Sequence, residues 1–305
     1  MGLQEAVRLF LAAMEGIVSP KTVQFYFNRL PSLIAFLGDF PVEEVTLPDL
    51  RAWRAYLTHR KQLYLNRLVQ KDNLAPATVH QYIRCARRLF RWLFLEGYIS
   101  TNPAQRFELP PLPERRPRGI PLADLEKLIV SAETARDKAI VLFLGDTAAR
   151  VGGVANLQLK DVDLSLGQAM VHEKGRGGKG RTRPVFFCER TREALEAYLA
   201  ERPTIPGCTS LFVSERNNRH PQAGLTTNGI YLVLKRLAKK AGVEANYNPH
   251  SFRHGALRGM LENGMPLPDV SRVAGHSSVQ VTGDIYGIVS DTVLSQRHQK
   301  YSWLK

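Results

Sequence analysis

The sequence has 305 residues, 44% of them hydrophobic, with 42 Lys and Arg against 28 Asp and Glu. That length and apolar content allow two domains of ordinary size with real cores, and no apolar run is long enough to span a bilayer as a helix. The formal charge of +14 is spread over the chain: residues 1–120 carry 17 basic and 10 acidic side chains, a net of +7, and the remainder 25 and 18, again +7. A basic excess in both halves points to a polyanionic partner touched by both, with double-stranded DNA ahead of RNA or acidic lipid. Cys85, Cys188 and Cys208 lie far apart with no metal-type spacing, so reduced, buried thiols in a cytosolic protein are expected. Met1 to Gly16 includes Glu5, Arg8 and Glu15 and reads as a helix rather than a signal peptide.

Residues 1–108 read as helical. Ser19-Pro20 is an N-cap followed by proline at the first helical position, and Val23, Phe25, Tyr26, Leu30, Leu33, Ile34 and Leu37 follow at helical spacing. Leu47-Pro48 opens another helix carrying Leu50, Trp53, Tyr56 and Leu57. A third starts near Ala75-Pro76-Ala77-Thr78, carries Val79, Tyr82, Ile83, Leu89, Phe90, Trp92 and Leu93, and ends near Gly97. Its other face holds Arg84, Arg87, Arg88 and Arg91 at three-to-four spacing. Such a stripe is either a solvated face or a row of phosphate contacts along a DNA groove.

Asn102-Pro103 closes this helical unit. Residues 109–121 contain five prolines together with Arg115, Arg116 and Arg118, which predicts an extended interdomain linker whose arginines can follow a DNA backbone. The second unit, 122–305, opens with helices from Leu122 to Ala132 and from Thr134 to about Thr147. Short strands are predicted at Asp161–Leu164, Ala169–Glu173 and Arg181–Phe187, with a glycine-rich turn, Lys174 to Gly180, between the last two. Helices resume from Arg190 to Arg202, from Thr226 to Ala241 and after His250. The fold class is therefore mainly α with a small β-sheet (α+β).

Five motifs in the second unit carry chemistry, each ambiguous alone. Arg150 follows a long apolar helix in Thr147-Ala148-Ala149-Arg150; it is either a surface charge or a guanidinium held against a phosphate. Lys174 and Lys179 flank the glycine-rich turn, where one ammonium can protonate a leaving alkoxide and the other touch DNA. His250-Ser251-Phe252-Arg253-His254 starts a helix at Pro249; the His250/His254 spacing suits a metal, but no adjacent Glu and no third ligand accompany it. In Ala274-Gly275-His276-Ser277-Ser278, Gly275 reads as a helix C-cap and Ser277 as the cap of the next helix. Tyr286 lies in Asp284-Ile285-Tyr286-Gly287 near a helix end. Together, in this order, they are what phosphodiester transfer needs without metal or cofactor. Two arginines neutralise the phosphate and lower the pKa of a phenol, histidines handle its proton and a phosphate oxygen, and a lysine protonates the leaving oxygen.

The order Arg, Lys, His-x-x-Arg, Gly-His, Tyr resembles the tyrosine recombinases, or phage integrase family, over most of the chain. Thr147-Ala148-Ala149-Arg150 is similar to the family's Thr-Gly-Leu-Arg segment, and His250 to His254 and Gly275 to Gln280 match closely. Ala75 through Asn102-Pro103 resembles the last helices of the family's core-binding (SAM-like) domain. The resemblance implies a helical DNA-binding domain over 1–108, a linker over 109–121 and a catalytic domain with a C-terminal tail over 122–305, the two domains closing on DNA as a C-shaped clamp. It implies site-specific recombination through a 3′-phosphotyrosyl intermediate and a Holliday junction, by a homo-tetramer on synapsed DNA sites that is monomeric or weakly associated when free. Arg150 and Arg253 would clamp the phosphate, His250 act as acid/base, His276 assist at the phosphate and Tyr286 attack. The protein would work in the cytoplasm at the nucleoid, with no membrane partner.

The sequence departs from the family in three ways. Glu or Asp commonly stands three residues after the first arginine; here it is Gly153, so another group must brace Arg150 or its pocket is looser. His276 and Tyr286 are ten residues apart, where many members have nine. The turn before Pro184 is two residues longer, and Lys174, which stands 24 residues after Arg150, is preferred to Lys179 as the general acid. Two rival readings are a type IB topoisomerase and a DNA-binding protein with a decayed active site. The tail, with Val293, Leu294, Tyr301, Trp303 and Leu304, docks either on its own domain or on a neighbouring protomer.

Overall fold

The computed structural model describes residues 1–59, 62–64, 67–71, 73–112, 118–174, 180–214, 223–243, 247–276 and 278–286, with 295, 298 and 299, and the backbone alone at 62–64, 67–71, 174, 281 and 284–286. The chain divides into two units, Met1–Arg115 and Arg116–Lys305.

The first unit is built from α1 (Leu3–Met14), α2 (Pro20–Phe27), α3 (Pro31–Leu37), α4 (Leu47–His59), a short antiparallel pair β1 (Gln62–Tyr64) and β2 (Arg67–Lys71), and α5 (Pro76–Leu95). The Ser19 hydroxyl accepts from the Thr22 amide at 3.3 Å and caps α2. The helical spacing from Val23 to Leu37 does not make one helix: α2 stops at Phe27 and α3 begins at Pro31, which has no N–H to donate back into a preceding turn. The strand pair corrects the all-helical reading of residues 1–108. Tyr64 and Val69 favour extended backbone, and the register pairs Tyr64 with Arg67. Phe10, Leu33, Leu50, Trp53, Ile83 and Phe90 fill the core of the unit. The apolar face of α5 packs into it, and Arg84, Arg88 and Arg91 remain exposed on the other face with Arg87 half-buried.

The second unit holds α6 (Leu122–Ser131), α7 (Ala135–Thr147), α8 (Val151–Ala155), β3 (Val162–Asp163), β4 (Gln168–Lys174), β5 (Gly180–Phe186), α9 (Glu189–Glu201), α10 (Thr227–Lys240), α11 (Pro249–Glu262), α12 (Leu267–Ala274) and α13 (Val279–Tyr286). The helix α7 is buried nearly all round, which its sequence shows as apolar residues with no polar face, Ala139 through Leu144. The antiparallel sheet has the order β3-β4-β5. Ala169 and Val171 of β4 and Val185 of β5 point into the core by the two-residue alternation of strands. This mostly helical architecture with a small sheet is the fold class the sequence indicates. A satellite core of Ala148, Leu257, Leu261, Val270 and Ala274 lies between α11 and α12 and underlies the site. Among the described residues no helix is long and apolar enough to cross a membrane.

Candidate active site

The corner after α7 sets the site. Thr147 donates its hydroxyl to the Phe143 carbonyl at 2.7 Å and accepts from the Ala149 amide at 3.2 Å. Between these bonds Ala148 takes a left-handed conformation, φ 53°, which reverses the chain and delivers Arg150 as the N-cap of α8. An alanine is sterically disfavoured there, and the surroundings hold it.

The residue that pins the corner is Arg253, from the first turns of α11. It is buried, with Nη1 donating to the Ala148 carbonyl at 2.6 Å and Nη2 to the Ala274 carbonyl at 2.6 Å. The α11 start is fixed by Asn248, whose side-chain oxygen accepts from the amides of His250 and Ser251 at 2.9 and 3.3 Å. Pro249 follows at the first helical position. Ala274 ends α12, and Gly275 closes that helix in the left-handed conformation, φ 65°. Next comes His276, whose Nε2 lies 3.2 Å from Arg253 Nη2 and whose Nδ1 lies 2.8 Å from the Thr282 hydroxyl of α13. A guanidinium can only donate, so Nε2 accepts and the ring proton sits on Nδ1, facing Thr282. Burial, then the charges of Arg253, Arg150 and Arg183, push the His276 pKa down to about 4, so the ring is neutral near pH 7.

The first arginine is held differently. Arg150 is 37% exposed, and its Nη1 is paired with Glu173 Oε2 while its backbone amide donates to Glu173 Oε1 at 2.9 Å. Glu173 is itself buried on the core face of β4. It also accepts from Arg183 of β5, Nε to Oε2 at 3.2 Å and Nη2 to Oε1 at 3.0 Å. Burial alone would raise its pKa. The hydrogen bonds from Arg183 and the Arg150 amide and the two guanidinium charges outweigh that and keep the carboxyl below the usual range. Arg183 in turn donates to the Val273 carbonyl at 2.5 Å, and Arg181 to the Gly275 carbonyl at 3.2 Å. The carbonyls of residues 273, 274 and 275 thus each take an arginine, which satisfies the open C-terminus of α12 and places three positive charges at its negative pole.

The structure therefore brings Arg150, Arg253 and His276 together. His250 sits on the first turn of α11, exposed, while Arg253 three residues on is buried, so the two do not share one environment. Lys174 ends β4 beside Glu173, its backbone paired with Gly180. Tyr286 is the last residue of α13, one turn after Thr282. In the first unit Arg84, Arg87, Arg88 and Arg91 line one groove with Thr22, Phe25 and Asn102. Arg115, Arg116, Lys179 and the capping role of Ser277 lie outside the described residues. Reasoning from sequence missed Glu173, Arg183 and Thr282. A signal existed for the first two: both fall on the inward phase of their strands, where two unlike charges imply a buried pair.

The family model of the phage integrase family matches residues 120–292, and that of the phage integrase SAM-like domain matches residues 3–109. The chain belongs to the phage integrase family, the tyrosine recombinases. The tyrosine recombinase XerD of Listeria innocua serovar 6a is 32% identical to it over 300 residues, covering 96% of this chain and 95% of the relative. Among solved structures of similar fold, the Tn1549 transposon integrase in complex with circular intermediate DNA gives a TM-score of 0.75 at 18% identity, covering 97% and 99% of the two chains. A lambda integrase tetramer bound to a Holliday junction gives 0.71 at 18% identity, covering 95% and 80%. The recombinase is a site-specific DNA-recombining enzyme, as the order of its motifs indicates. The decayed-site and topoisomerase readings are not favoured.

Proposed function

We propose that this recombinase cuts and rejoins DNA through a 3′-phosphotyrosyl bond at Tyr286. The observation that supports it most is the convergence of Arg150, Arg253 and His276 on one corner of the fold, with Thr282 of α13 holding the histidine. Positions 282 and 286 are four apart and share a face of that helix.

The phenol oxygen of Tyr286 attacks the scissile phosphorus and the bond to the 5′ oxygen breaks. His250 takes the phenolic proton, and Lys174 protonates the leaving 5′ oxygen, which departs as a hydroxyl. Arg150 and Arg253 take up the charge that grows on the phosphate oxygens, from positions fixed before DNA arrives. Neutral His276 braces Arg253 and leaves the positive charge of the pocket on guanidinium groups. The phosphotyrosyl link keeps the energy of the broken bond, so rejoining needs no ATP, and no metal or cofactor has a step.

Residues 1–108 are the DNA-binding domain, 109–121 the linker and 122–305 the catalytic domain with its tail. Arg84, Arg87, Arg88 and Arg91, with Arg115, Arg116 and Lys179, meet phosphates and position the protein without reading sequence. The partner is a pair of double-stranded recombination sites, held by four protomers and exchanged through a Holliday junction. The tetrameric lambda integrase on such a junction supports that assembly. The free protein is a monomer or weakly associated, and works in the cytoplasm at the nucleoid.

A nicked suicide substrate tests the reading, because it traps the covalent adduct. Tyr286→Phe is expected to bind DNA and form none; undiminished adduct would remove Tyr286 from its role. Lys174→Ala is expected to slow cleavage far more than Lys179→Ala and to be rescued by a 5′-thio leaving group. Rescue of Lys179→Ala alone would exchange the two lysines.

A further inference from the structure

Gly153 and Glu173 answer each other across the site. Arg150 is the N-cap of α8, so Gly153 is its third helical residue. From that position a Glu side chain reaches back to the N-cap amide, the reciprocal bond of a capping box. Here the position is bare, yet the bond is made: the Arg150 amide donates to Glu173 Oε1 at 2.9 Å, from a different element. The space has been exchanged as well. A Cβ built on Gly153 would lie 3.1 Å from Glu173 Cγ and 3.3 Å from Val171 Cβ, tighter than side chains normally pack. Gly153 is bare because the β4 carboxylate passes over it.

That carboxylate does more than a capping residue could. Both of its oxygens are shared between Arg150 and Arg183, so four donors meet it and it is buried. Arg183 carries the connection onward to the Val273 carbonyl at the end of α12. Arg183 also fills the space beside Gly275, where a Cβ would lie 2.7 Å from its Cδ. The residue after Gly275 is His276. One chain of contacts therefore runs from Arg150 through Glu173 and Arg183 to the turn that presents His276.

We propose that Glu173 is a positioning residue for the strand-transfer reaction: it supplies from β4 the carboxylate that α8 lacks at Gly153, aims Arg150, and through Arg183 locks that aim to the turn bearing His276. The inference rests on the recombinase reading of the site. A buried acid serving only to hold the sheet to α12 would pair with Arg183 alone. The bonds to both the amide and the guanidinium of Arg150 give it a second task.

The test moves the carboxylate from one element to the other. Glu173→Gln and Glu173→Gly are expected to slow covalent adduct formation on the nicked substrate, at saturating DNA, on the order of 10- to 100-fold, the effect of loosening a group that holds a reacting one. DNA affinity should stay within about twofold, because phosphate contacts elsewhere dominate binding. Gly153→Glu combined with Glu173→Gly should recover most of the cleavage rate, whereas Gly153→Glu alone should not, since both side chains then claim one space. A residue that merely held the fold together would not be replaced by a carboxylate from another element. A second readout does not need the reaction. Phenylglyoxal modification of the intact protein, read by peptide mass spectrometry, should be slow at Arg150 in the wild type, faster in Glu173→Gln, and slow again in the relocated variant. Equal modification of Arg150 in wild type and Glu173→Gln overturns the proposal, and so does a folded relocated variant that regains neither protection nor cleavage. A wild type that forms no adduct while Arg150 shows this protection pattern would instead refute the reaction and leave the positioning intact.

Discussion

The two arginines of the site are held by opposite means. Arg253 is buried and gives its donors to neutral acceptors, the carbonyls of Ala148 and Ala274 and a ring nitrogen of His276. Arg150 is 37% exposed and is held by a carboxylate. A neutral acceptor fixes direction without subtracting charge, whereas a carboxylate fixes direction and subtracts it. Sharing Glu173 with Arg183 reduces that loss: three guanidinium groups, of Arg150, Arg183 and Arg253, against one carboxylate leave a net charge of +2 with His276 neutral. A phosphodiester brings one negative charge and gains more as the phenolate reaches phosphorus. If the proposed reaction holds, the pocket carries its surplus where that charge would develop. The Arg253 side of the site is buried and the Arg150 side half-exposed; in the function proposed above, the exposed side is the one that would meet DNA.

The sharpest way to break this comparison is to keep the charge and remove the fork. Lysine is a point charge and cannot span two carbonyls as a planar guanidinium does. Arg253→Lys is expected to lower the rate of adduct formation by about 10²- to 10³-fold, the scale of losing a fixed donor at a developing charge. It should also lower the thermal midpoint, because the Ala148 and Ala274 carbonyls lose a buried partner. Arg150→Lys should cost less in both, since an ammonium still meets the Glu173 carboxylate. Single-turnover cleavage and thermal melts of the two variants side by side decide it. Equal losses would mean that burial does not distinguish the arginines.

What was legible in the sequence divides along the same line. Arg150, His250, His276 and Tyr286 stand in local patterns at helix ends, with Pro249 before His250 and Gly275 before His276, and Arg253 follows His250 by three residues on the same helix. The two-residue alternation of β4 and β5 was legible too, and with it the pairing of Glu173 with Arg183, but not the connection onward, because their further partners, Arg150 and the Val273 carbonyl, come from α8 and α12. Gly153 read as a missing acid when only its own neighbours in sequence were considered. It became an occupied position once β4 was folded beside it. The break at Pro31 and the β1/β2 pair escaped for a simpler reason: a helical rhythm in the apolar residues persists across a proline, and two strands of three and five residues are too short to show a period.

A smaller effect tests the neutral acceptor on the Arg253 side. The His276 pKa is pushed from the ordinary 6.5 to about 4 by burial and by Arg253, Arg150 and Arg183, with His254 adding to it. Between those values the unfolded chain binds a proton that the folded chain refuses, so stability rises with pH. That contribution is complete above 6.5 and is lost as pH falls towards 4. His276→Gln keeps an acceptor for Arg253 and a donor for Thr282 but does not titrate. Its thermal midpoint should therefore fall less steeply than the wild type's from pH 6.5 to pH 4. Some slope will remain, because His254 is shifted in the same direction by burial, His250 and Arg253. Partial exposure of the ring keeps the difference modest. Parallel curves for the two proteins would show that burial and the neighbouring arginines do not hold His276 neutral.

The smallest expected effect concerns the corner that both arginines share. Ala148 is the one non-glycine residue with positive φ among the described residues, and it is fully buried. A left-handed conformation costs an alanine roughly 1–2 kcal/mol relative to glycine. Against that relief, Ala148→Gly loses a buried methyl, about 0.8 kcal/mol, and gives the unfolded chain more freedom, about 0.4–1 kcal/mol. The terms nearly cancel, so the variant should lie within about 0.5 kcal/mol of the wild type. Ala139→Gly, equally buried but within α7, has no strain to relieve and should cost on the order of 2 kcal/mol from helix propensity and the lost methyl. Thermal midpoints of the two variants make the comparison. If Ala148→Gly proved as costly as Ala139→Gly, the corner would not be strained, and the bond from Arg253 to the Ala148 carbonyl would be holding a conformation that the chain adopts without it.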